Sequence, residues 1–378
     1  MDFILNEEQM LLRDMAARFA ADARARQEKT PEEPGRRWSR FAELGLLGLT
    51  LGEAHGGLGG GGVETMIVAE EMGRQLLTEP FVPAVAMVSP LIGELGSKDH
   101  HEQILPRLAA GEVLVVPAFL EPEARYDLAQ VATIARADGD QVRITGRKAV
   151  VLNAPQADLL LVSTRSAGAT GAMEGISLYL VPCQAPGVSL RAITTLDGRP
   201  AAEVNFDAVA VAATSRLGSA GTALPAIERA VDRGIAALAG EAVGAMAALL
   251  DLTAEYLRTR KQFGAPIGKF QALQHKLVDM RVALELARSV AAAAAMAVDI
   301  PDAELRRRFI SAAKVQVTRS GRLIGQAAIQ LHGAMGMTEE YGAGRYLKRL
   351  VVIGALYGDF AHHLERFAAT AEPAGLPN

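Results

Sequence analysis

The chain has 378 residues, half of them hydrophobic, so it can bury more than one core and we expect two or three packed domains. Its formal charge of −4 argues against a general polyanion-binding surface, and no nucleic-acid partner is expected. A single cysteine, Cys183, excludes an internal disulfide framework and suits a reducing compartment. No apolar run reaches the roughly 20 residues that span a bilayer. The acidic N-terminus lacks the pattern of a signal peptide, so we expect a cytoplasmic protein without membrane insertion.

The first part of the chain, 1–111, is predicted to be a helical domain. Asn6 is a predicted N-cap, and Gln9, three residues later, is its predicted capping-box partner. Further helices are expected over 38–47 and 63–77, where apolar residues recur at helical spacing.

A glycine-rich stretch at 57–62 matches G-x-G-x-x-G, the dinucleotide fingerprint. That fingerprint requires a buried strand before it, and the residues before Gly57 do not have the pattern of a strand. We therefore predict a loop rather than a nicotinamide site, with His55 as a hydrogen-bonding residue of the loop rather than a catalyst.

Short β-rich runs separated by Gly, Pro and Asp-Gly indicate a middle β domain over 112–220. Because no long helix fits between the runs, a compact antiparallel barrel or sandwich is expected. The predicted strands are 113–119, 131–136, 141–145, 159–162, 176–181 and 203–206.

The remaining residues, 221–378, are rich in alanine and are predicted to form a C-terminal four-helix bundle. Two long amphipathic segments, 273–297 and 303–332, carry this prediction. The expected fold class is therefore α+β, mostly helical: an N-terminal helical domain, a middle β domain and a helical bundle.

A sharp break interrupts the helical pattern within 255–280. Two glycines and Pro266 redirect the chain there, and Phe263 and Phe270 flank the break. Arg260 lies beside the turn and Gln271 begins the next helix. A cation and an amide beside an aromatic pair suit a flat, phosphate-bearing ligand. The alternative is an ordinary helix–turn–helix corner with a surface arginine.

This stretch, Y-L-R-T-R-K-Q-F-G-A-P-I-G-K-F-Q-A-L-Q, resembles the R-x-x-F-G-x-P-I-x-x-F-Q motif of acyl-CoA dehydrogenases. A second motif of that family, A-I-Q-L-H-G-A-M-G-M-T-E-E-Y, follows at 328–341. The resemblance extends over nearly the whole chain and implies the same three-part fold. It also implies FAD as cofactor and the introduction of an α,β double bond into an acyl-CoA substrate, with a dicarboxylyl, alicyclic or sterol side chain.

In this family the adenine and pyrophosphate of FAD are held by the central motif and by a Q-x-x-G-G loop of a neighbouring subunit. Only the second glycine of that loop is changed here, to alanine. The positions that the resemblance assigns to cofactor binding are Arg260, Gln262, Phe263, Phe270, Gln271, Gln330, Gly333 and Ala334.

The flavin-ring end departs from the family pattern. The segment 121–127 resembles the family loop E-P-x-A-G-S-D, and 146–153 resembles the strand G-x-K-x-W-x-T-N. Val150 stands where the family has a flavin-stacking tryptophan, and Leu152 where a threonine donates to the ring. A stacking platform and a hydrogen bond are therefore missing.

The catalytic base is also absent from its usual positions. The resemblance places Tyr357-Gly358-Asp359 at the family's E-G-T tripeptide, and a phenol is a poor base at neutral pH. The alternative position on the first bundle helix matches Gly234. Glu241, seven residues further on, is the candidate base that we assign, with a structural hydrogen-bonding role as its alternative. Asp359 is a second candidate base, with helix capping or a loop role as its alternative. No metal site is predicted.

An intact nucleotide end beside a degraded ring end suggests a heteromer. The resemblance implies a homologous acyl-CoA dehydrogenase subunit as partner in an α2β2 heterotetramer, with a homo-oligomer as the alternative. Besides the dehydrogenase subunit, two functions stay open: a catalytically silent scaffold that lends FAD contacts to its partner, and a flavin oxygenase or oxidase on the same fold.

Overall fold

A computed structural model describes residues 4–29, 36–338 and 341–370 of the chain. Its N-terminal part is helical, as predicted. Asn6 caps the first helix: its side chain accepts from Gln9 N at 2.8 Å, while Gln9 Oε1 accepts from Asn6 N at 3.1 Å, which is the predicted capping box. The helices are α1 (Glu7–Lys29), α2 (Arg36–Glu43), α3 (Gly62–Arg74), α4 (Ser89–Leu95), α5 (Lys98–Gln103) and α6 (Leu105–Ala109), with a π-helical run, Val82–Val88, before α4.

The glycine-rich stretch is a loop that leads into α3. A single helical turn, Glu53–His55, precedes it, so the strand that a dinucleotide fingerprint requires is not there. Gly57 lies so close to the backbone that an added Cβ would be 2.0 Å from Leu51 O. The His55 ring lies against that of His101, with centroids 5.1 Å apart.

The middle part is one connected sheet of eight strands: β1 (Val115–Ala118), β2 (Ile134–Asp138), β3 (Gln141–Leu152), β4 (Leu159–Arg165), β5 (Ile176–Pro182), β6 (Val188–Thr194), β7 (Pro200–Ala212) and β8 (Arg216–Leu217). Their order in the sheet is β6-β7-β3-β2-β4-β5-β8, with β1 paired to β4. Most pairs are antiparallel, as predicted, but β4 runs parallel to both β1 and β2, so the sheet is mixed. No helix longer than one turn occurs within 112–220, all of which the structure describes.

Two strands, β6 and β8, were not predicted. β6 is an edge strand that pairs with β7 and is only half-buried, so its sequence lacks a strong apolar pattern. β8 has two residues and depends on pairing with β5. The predicted turn at Asp197-Gly198 does connect β6 to β7, and Gly198 has a φ of +82° there.

The C-terminal part is a helical bundle with a small hairpin between its first two helices. α9 has the bounds that the sequence predicts, because Asp302 caps its first turn and Gly333 ends it. The elements are α7 (Leu224–Thr259), β9 (Lys261–Gln262), β10 (Ala265–Pro266), α8 (Gln271–Ala297), α9 (Ala303–His332), α10 (Ala343–Ala355) and α11 (Phe360–Ala368).

The central helix α7 is long and apolar enough to cross a membrane by length and composition, although no such run is expected from the sequence. In the fold, 83% of its apolar window is buried, which is also the behaviour of a core helix.

Small residues let α3 and α7 approach closely. A Cβ added at Gly73 would lie 1.9 Å from Glu241 O, and one added at Gly244 would lie 1.8 Å from Glu70 O.

Contacts group the chain into two compact units. One comprises 1–31, 62–78 and 235–378, and the other comprises 32–61 and 79–234. The second unit has a core of buried side chains on the sheet, including Ile144, Val162 and Phe206. The predicted domain bounds at 111/112 and 220/221 stay predictions. Glu339 and Glu340, in the second motif, lie outside the described residues.

Candidate functional site

The break in the central motif is a two-residue β-hairpin. β9 pairs with β10, and Phe263 and Gly264 form the turn with φ angles of +52° and +76°. Positive φ at both turn residues is what a tight hairpin of this type requires. The Phe263 ring is 91% exposed and meets Phe270 edge-on, with centroids 5.9 Å apart. The corner therefore presents an aromatic pair to its surroundings.

Arg260 sits where α7 passes into this hairpin. Its backbone N donates to Tyr256 O, and its carbonyl accepts from Ile267 N at 2.8 Å. Its side chain is exposed and forms no ion pair with any residue that the structure describes. Gln262 and Gln271 are exposed beside it. A guanidinium and two amides are thus available to an external ligand.

The second motif forms the turn that ends α9. Gly333 has a φ of +58° and donates its N–H to Gln330 O. A Cβ added at Gly333 would meet nothing within 4 Å, and Gln330 and Ala334 are exposed. The backbone of this turn is therefore accessible to a ligand, and the left-handed φ explains why a glycine stands there.

Two aromatic side chains connect the motifs within one chain. Tyr256, one helical turn before Arg260, lies 4.5 Å from the His332 ring between centroids, and its hydroxyl donates to His332 O at 3.3 Å. His332 Nδ1 donates to Ala328 O at 2.8 Å, and burial lowers the pKa of His332. The ends of α7 and α9 are thus held together. Both residues lie inside the two motifs, although the motif comparison gave them no role.

These residues fit the nucleotide end of FAD by their chemistry. A free guanidinium and accessible backbone suit a diphosphate, and an aromatic ring left 91% exposed suits a flat base or a partner surface. The turn at 330–334 is joined to the Arg260 corner of its own chain through Tyr256, so the two motifs lie close together.

The segments that align with the flavin-ring end are held together by a buried ion pair. Lys148 Nζ donates to Glu121 Oε1 at 2.7 Å and to Ser163 Oγ at 3.0 Å. Burial lowers the pKa of Lys148 to about 8, even though Glu121 opposes the shift. For Glu121, burial alone would raise the pKa, but the charge and hydrogen bonds of Lys148, with donors from 132 and 133, lower it. The pair fixes the loop 121–127 against β3.

Two residues at this end have left-handed backbones. Arg125 stands where the family loop has glycine and has a φ of +50°; Val150 has a φ of +51° and is 45% exposed. A bulge in the pairing of β3 with β7 lies between Lys148 and Val151 and accounts for the geometry at position 150. A valine in this position offers no stacking surface, and Leu152 offers no side-chain donor.

Glu241, the predicted base, lies in a buried ion pair, and its catalytic role stays a prediction. Its side chain is buried in a bidentate pair: Arg349 Nε donates to Oε1 and Arg349 Nη2 to Oε2, both at 2.7 Å. Each carboxylate oxygen therefore accepts a hydrogen bond from the guanidinium, which stabilises the ionised form and makes the carboxylate a weaker base. The role seen in the fold is the structural alternative.

The residues at the family's E-G-T position have structural surroundings of their own. Asp359 accepts from His362 N at 2.9 Å and caps α11, and burial raises the pKa of the Tyr357 phenol.

Beside these residues lies Lys314, whose ammonium donates to Leu356 O at 2.7 Å and to Ile353 O. Burial lowers the pKa of Lys314 to about 7. The sequence shows this lysine only as a charge on the apolar face of α9.

Among the described residues, no group of three His, Cys, Asp or Glu side chains could hold a metal ion.

Comparison with known proteins agrees with the motifs. Three family profiles match: Acyl-CoA dehydrogenase, N-terminal domain, over 6–112; middle domain, over 118–209; and C-terminal domain, over 214–370. The sequence is 30% identical over 368 residues to a probable acyl-CoA dehydrogenase of Bacillus subtilis (strain 168), covering 94% of this chain and 96% of the relative.

Solved structures share the fold. The glutaryl-CoA dehydrogenase complex with glutaryl-CoA is 26% identical and matches 97% of this chain and 96% of its own, with a TM-score of 0.90. The ChsE4–ChsE5 complex from Mycobacterium tuberculosis has a TM-score of 0.86 over 100% of both chains, at 22% identity, which shows the fold alone. The three profiles and the full-length relative show that the chain belongs to the acyl-CoA dehydrogenase family of flavin-dependent oxidoreductases.

Proposed function

We propose that this chain is the non-catalytic subunit of a heteromeric, FAD-dependent acyl-CoA dehydrogenase. The assembled enzyme introduces an α,β double bond into an acyl-CoA. In this proposal the chain lends contacts for the nucleotide end of FAD to a homologous subunit, and that subunit supplies the base and the flavin-ring platform.

The observation that carries this proposal is the pairing of Glu241 with Arg349. Removal of an α-proton needs a base with a free lone pair and a suitable pKa. Glu241 has both oxygens bound at 2.7 Å, Asp359 caps a helix, and Tyr357 has a raised pKa. Each carboxylate considered from the sequence thus has a structural partner in the fold.

The nucleotide end supports the second half of the proposal. Arg260 would hold the diphosphate, the accessible turn at Gly333 and Ala334 would approach it closely, and Phe263 with Phe270 would cover the adenine side. Gln262, Gln271 and Gln330 supply amide donors. When bound, the flavin accepts the β-hydride of the substrate; the residues named here only bind and orient it.

The resemblance supports the partner and the substrate class of this proposal. The chain looks most like the small subunit of pimeloyl-CoA dehydrogenase, which favours a dicarboxylyl-CoA substrate over an alicyclic or sterol one. The glutaryl-CoA complex of a family member supports a dicarboxylyl substrate on this fold, and the ChsE4–ChsE5 complex supports an assembly of two different chains. We favour an α2β2 arrangement in the cytoplasm.

Co-expression with a homologous catalytic subunit tests the proposal. FAD per complex is measured from flavin absorbance after gel filtration. Arg260→Ala is expected to lower FAD retention at least tenfold while the complex still forms. Arg258→Ala is the matched control, because Arg258 lies two residues away and only pairs with Glu255 at the surface. Unchanged FAD retention in Arg260→Ala would contradict the assignment.

A further inference from the structure

We propose that a cavity between α1, α3 and α8 is a second small-molecule site that takes an amphipathic amine, with the nitrogen on Glu71 and the apolar body along the helices. The proposal is independent of FAD and of the heteromer, because every residue of this cavity belongs to one compact unit of the chain and none was assigned to the cofactor.

The cavity is large enough for a ligand. Its volume is about 710 Å³, within the 300–1,000 Å³ that is usual for small-molecule pockets. One side of its lining is apolar and comes from two helices: Val63, Met66 and Ile67 on α3, and Ala292 and Met296 on α8. This surface suits an alkyl or aryl body.

Glu71 is the polar group that lacks a close partner. The residue is 8% exposed and lines the cavity. Its nearest cation is Arg74, whose Nε lies 3.6 Å from Oε2, and no residue that the structure describes donates a hydrogen bond to its carboxylate within 3.5 Å. A carboxylate on a mostly buried residue that has only this loose ion pair, and that lines a cavity, is an acceptor that a ligand donor can reach.

The other carboxylates of the cavity are already engaged. Glu70 lies 3.3 Å from Arg288, and Glu285 lies 2.8 Å from Arg281 and 3.5 Å from Arg288. This difference singles out Glu71 as the acceptor that a ligand can use.

The arginines of the cavity do not favour an anion. Arg13 lies 3.6 Å from Asp14, and Arg74 lies near both Glu71 and Asp251, the latter at 3.5 Å. Every guanidinium therefore has a carboxylate beside it that would repel an anionic ligand. Burial raises the pKa of Glu71, and a bound ammonium would favour its ionised form.

Titration calorimetry on the full chain tests this proposal with three probes of one size: n-hexylamine, hexanoate and 1-hexanol. We expect saturable 1:1 binding of hexylamine at neutral pH, and at least tenfold weaker binding of the other two. No binding of hexylamine, or equal binding of the alcohol or the acid, would overturn the assignment.

Three variants locate the site. Glu71→Gln is expected to weaken hexylamine binding at least tenfold, and Ala292→Phe is expected to do the same by placing a ring on the apolar wall of the cavity. Glu285→Gln is the matched control, since that carboxylate is already paired, and should change affinity less than threefold. If Glu71→Gln does not fold, Ala292→Phe and the probe series decide. Retained binding in Ala292→Phe, or an equal loss in Glu285→Gln, would refute the proposal.

Discussion

Replacing Arg349 with methionine should destabilise the protein more than any surface change of similar size. Glu241 is 3% exposed and receives two hydrogen bonds of 2.7 Å from Arg349. Removing the guanidinium leaves a buried, uncompensated carboxylate, for which we expect a loss of about 3–5 kcal/mol in the free energy of unfolding. Urea unfolding followed by circular dichroism measures this loss.

A double-mutant cycle separates the pair from its surroundings. Glu241→Leu with Arg349→Met removes both charges and should recover most of the stability lost by either single variant. The control is Arg258→Met, whose pair with Glu255 is at the surface and should cost less than about 1 kcal/mol. A loss below about 1 kcal/mol in Arg349→Met, or no coupling in the cycle, would refute the structural role of Glu241.

Three other changes test separate features. Burial lowers the pKa of Lys314 from 10.5 to about 7, so between these pH values the unfolded chain binds more protons and stability rises with pH, by at most ~1.4 kcal/mol per unit. Urea curves of Lys314→Met should lack that slope, and an identical slope would contradict the shift. Gly73→Ala places a Cβ 1.9 Å from Glu241 O and should lower the free energy of unfolding by ~1–3 kcal/mol or more. Gly93→Ala, in open space on α4, should raise it by ~0.5–1 kcal/mol. Equal effects of the two variants on thermal unfolding would contradict the close packing at Gly73. Val150→Gly should gain ~1 kcal/mol by relieving a φ of +51°, and a loss would show that the residue is not left-handed.

Local signals were enough for much of the fold. The bounds of α9 follow from an N-cap at Asp302, an amphipathic repeat and a glycine after its last residue, all of which are readable in sequence. The capping box at Asn6 is local as well. β6 escaped prediction because an edge strand buries little and depends on β7 for its hydrogen bonds.

The sequence predicted only those parts of the site that lie within a single motif. The sequence marks Glu241 as an acidic residue on an apolar face that needs a reason, but its partner Arg349 is 108 residues further on and only tertiary structure brings them together. The same is true of Lys314, which lies beside carbonyls of a later helix end. The left-handed backbone of Val150 depends on a bulge that no local pattern shows.

The catalytic competence of the chain by itself tests the account most directly. The chain is purified alone and, separately, with a homologous subunit; FAD is measured by absorbance, and acyl-CoA turnover with an artificial electron acceptor. We predict that the chain alone does not turn over acyl-CoA and does not retain one FAD per subunit, while the complex does both. A yellow, active chain in the absence of any partner would contradict the proposal.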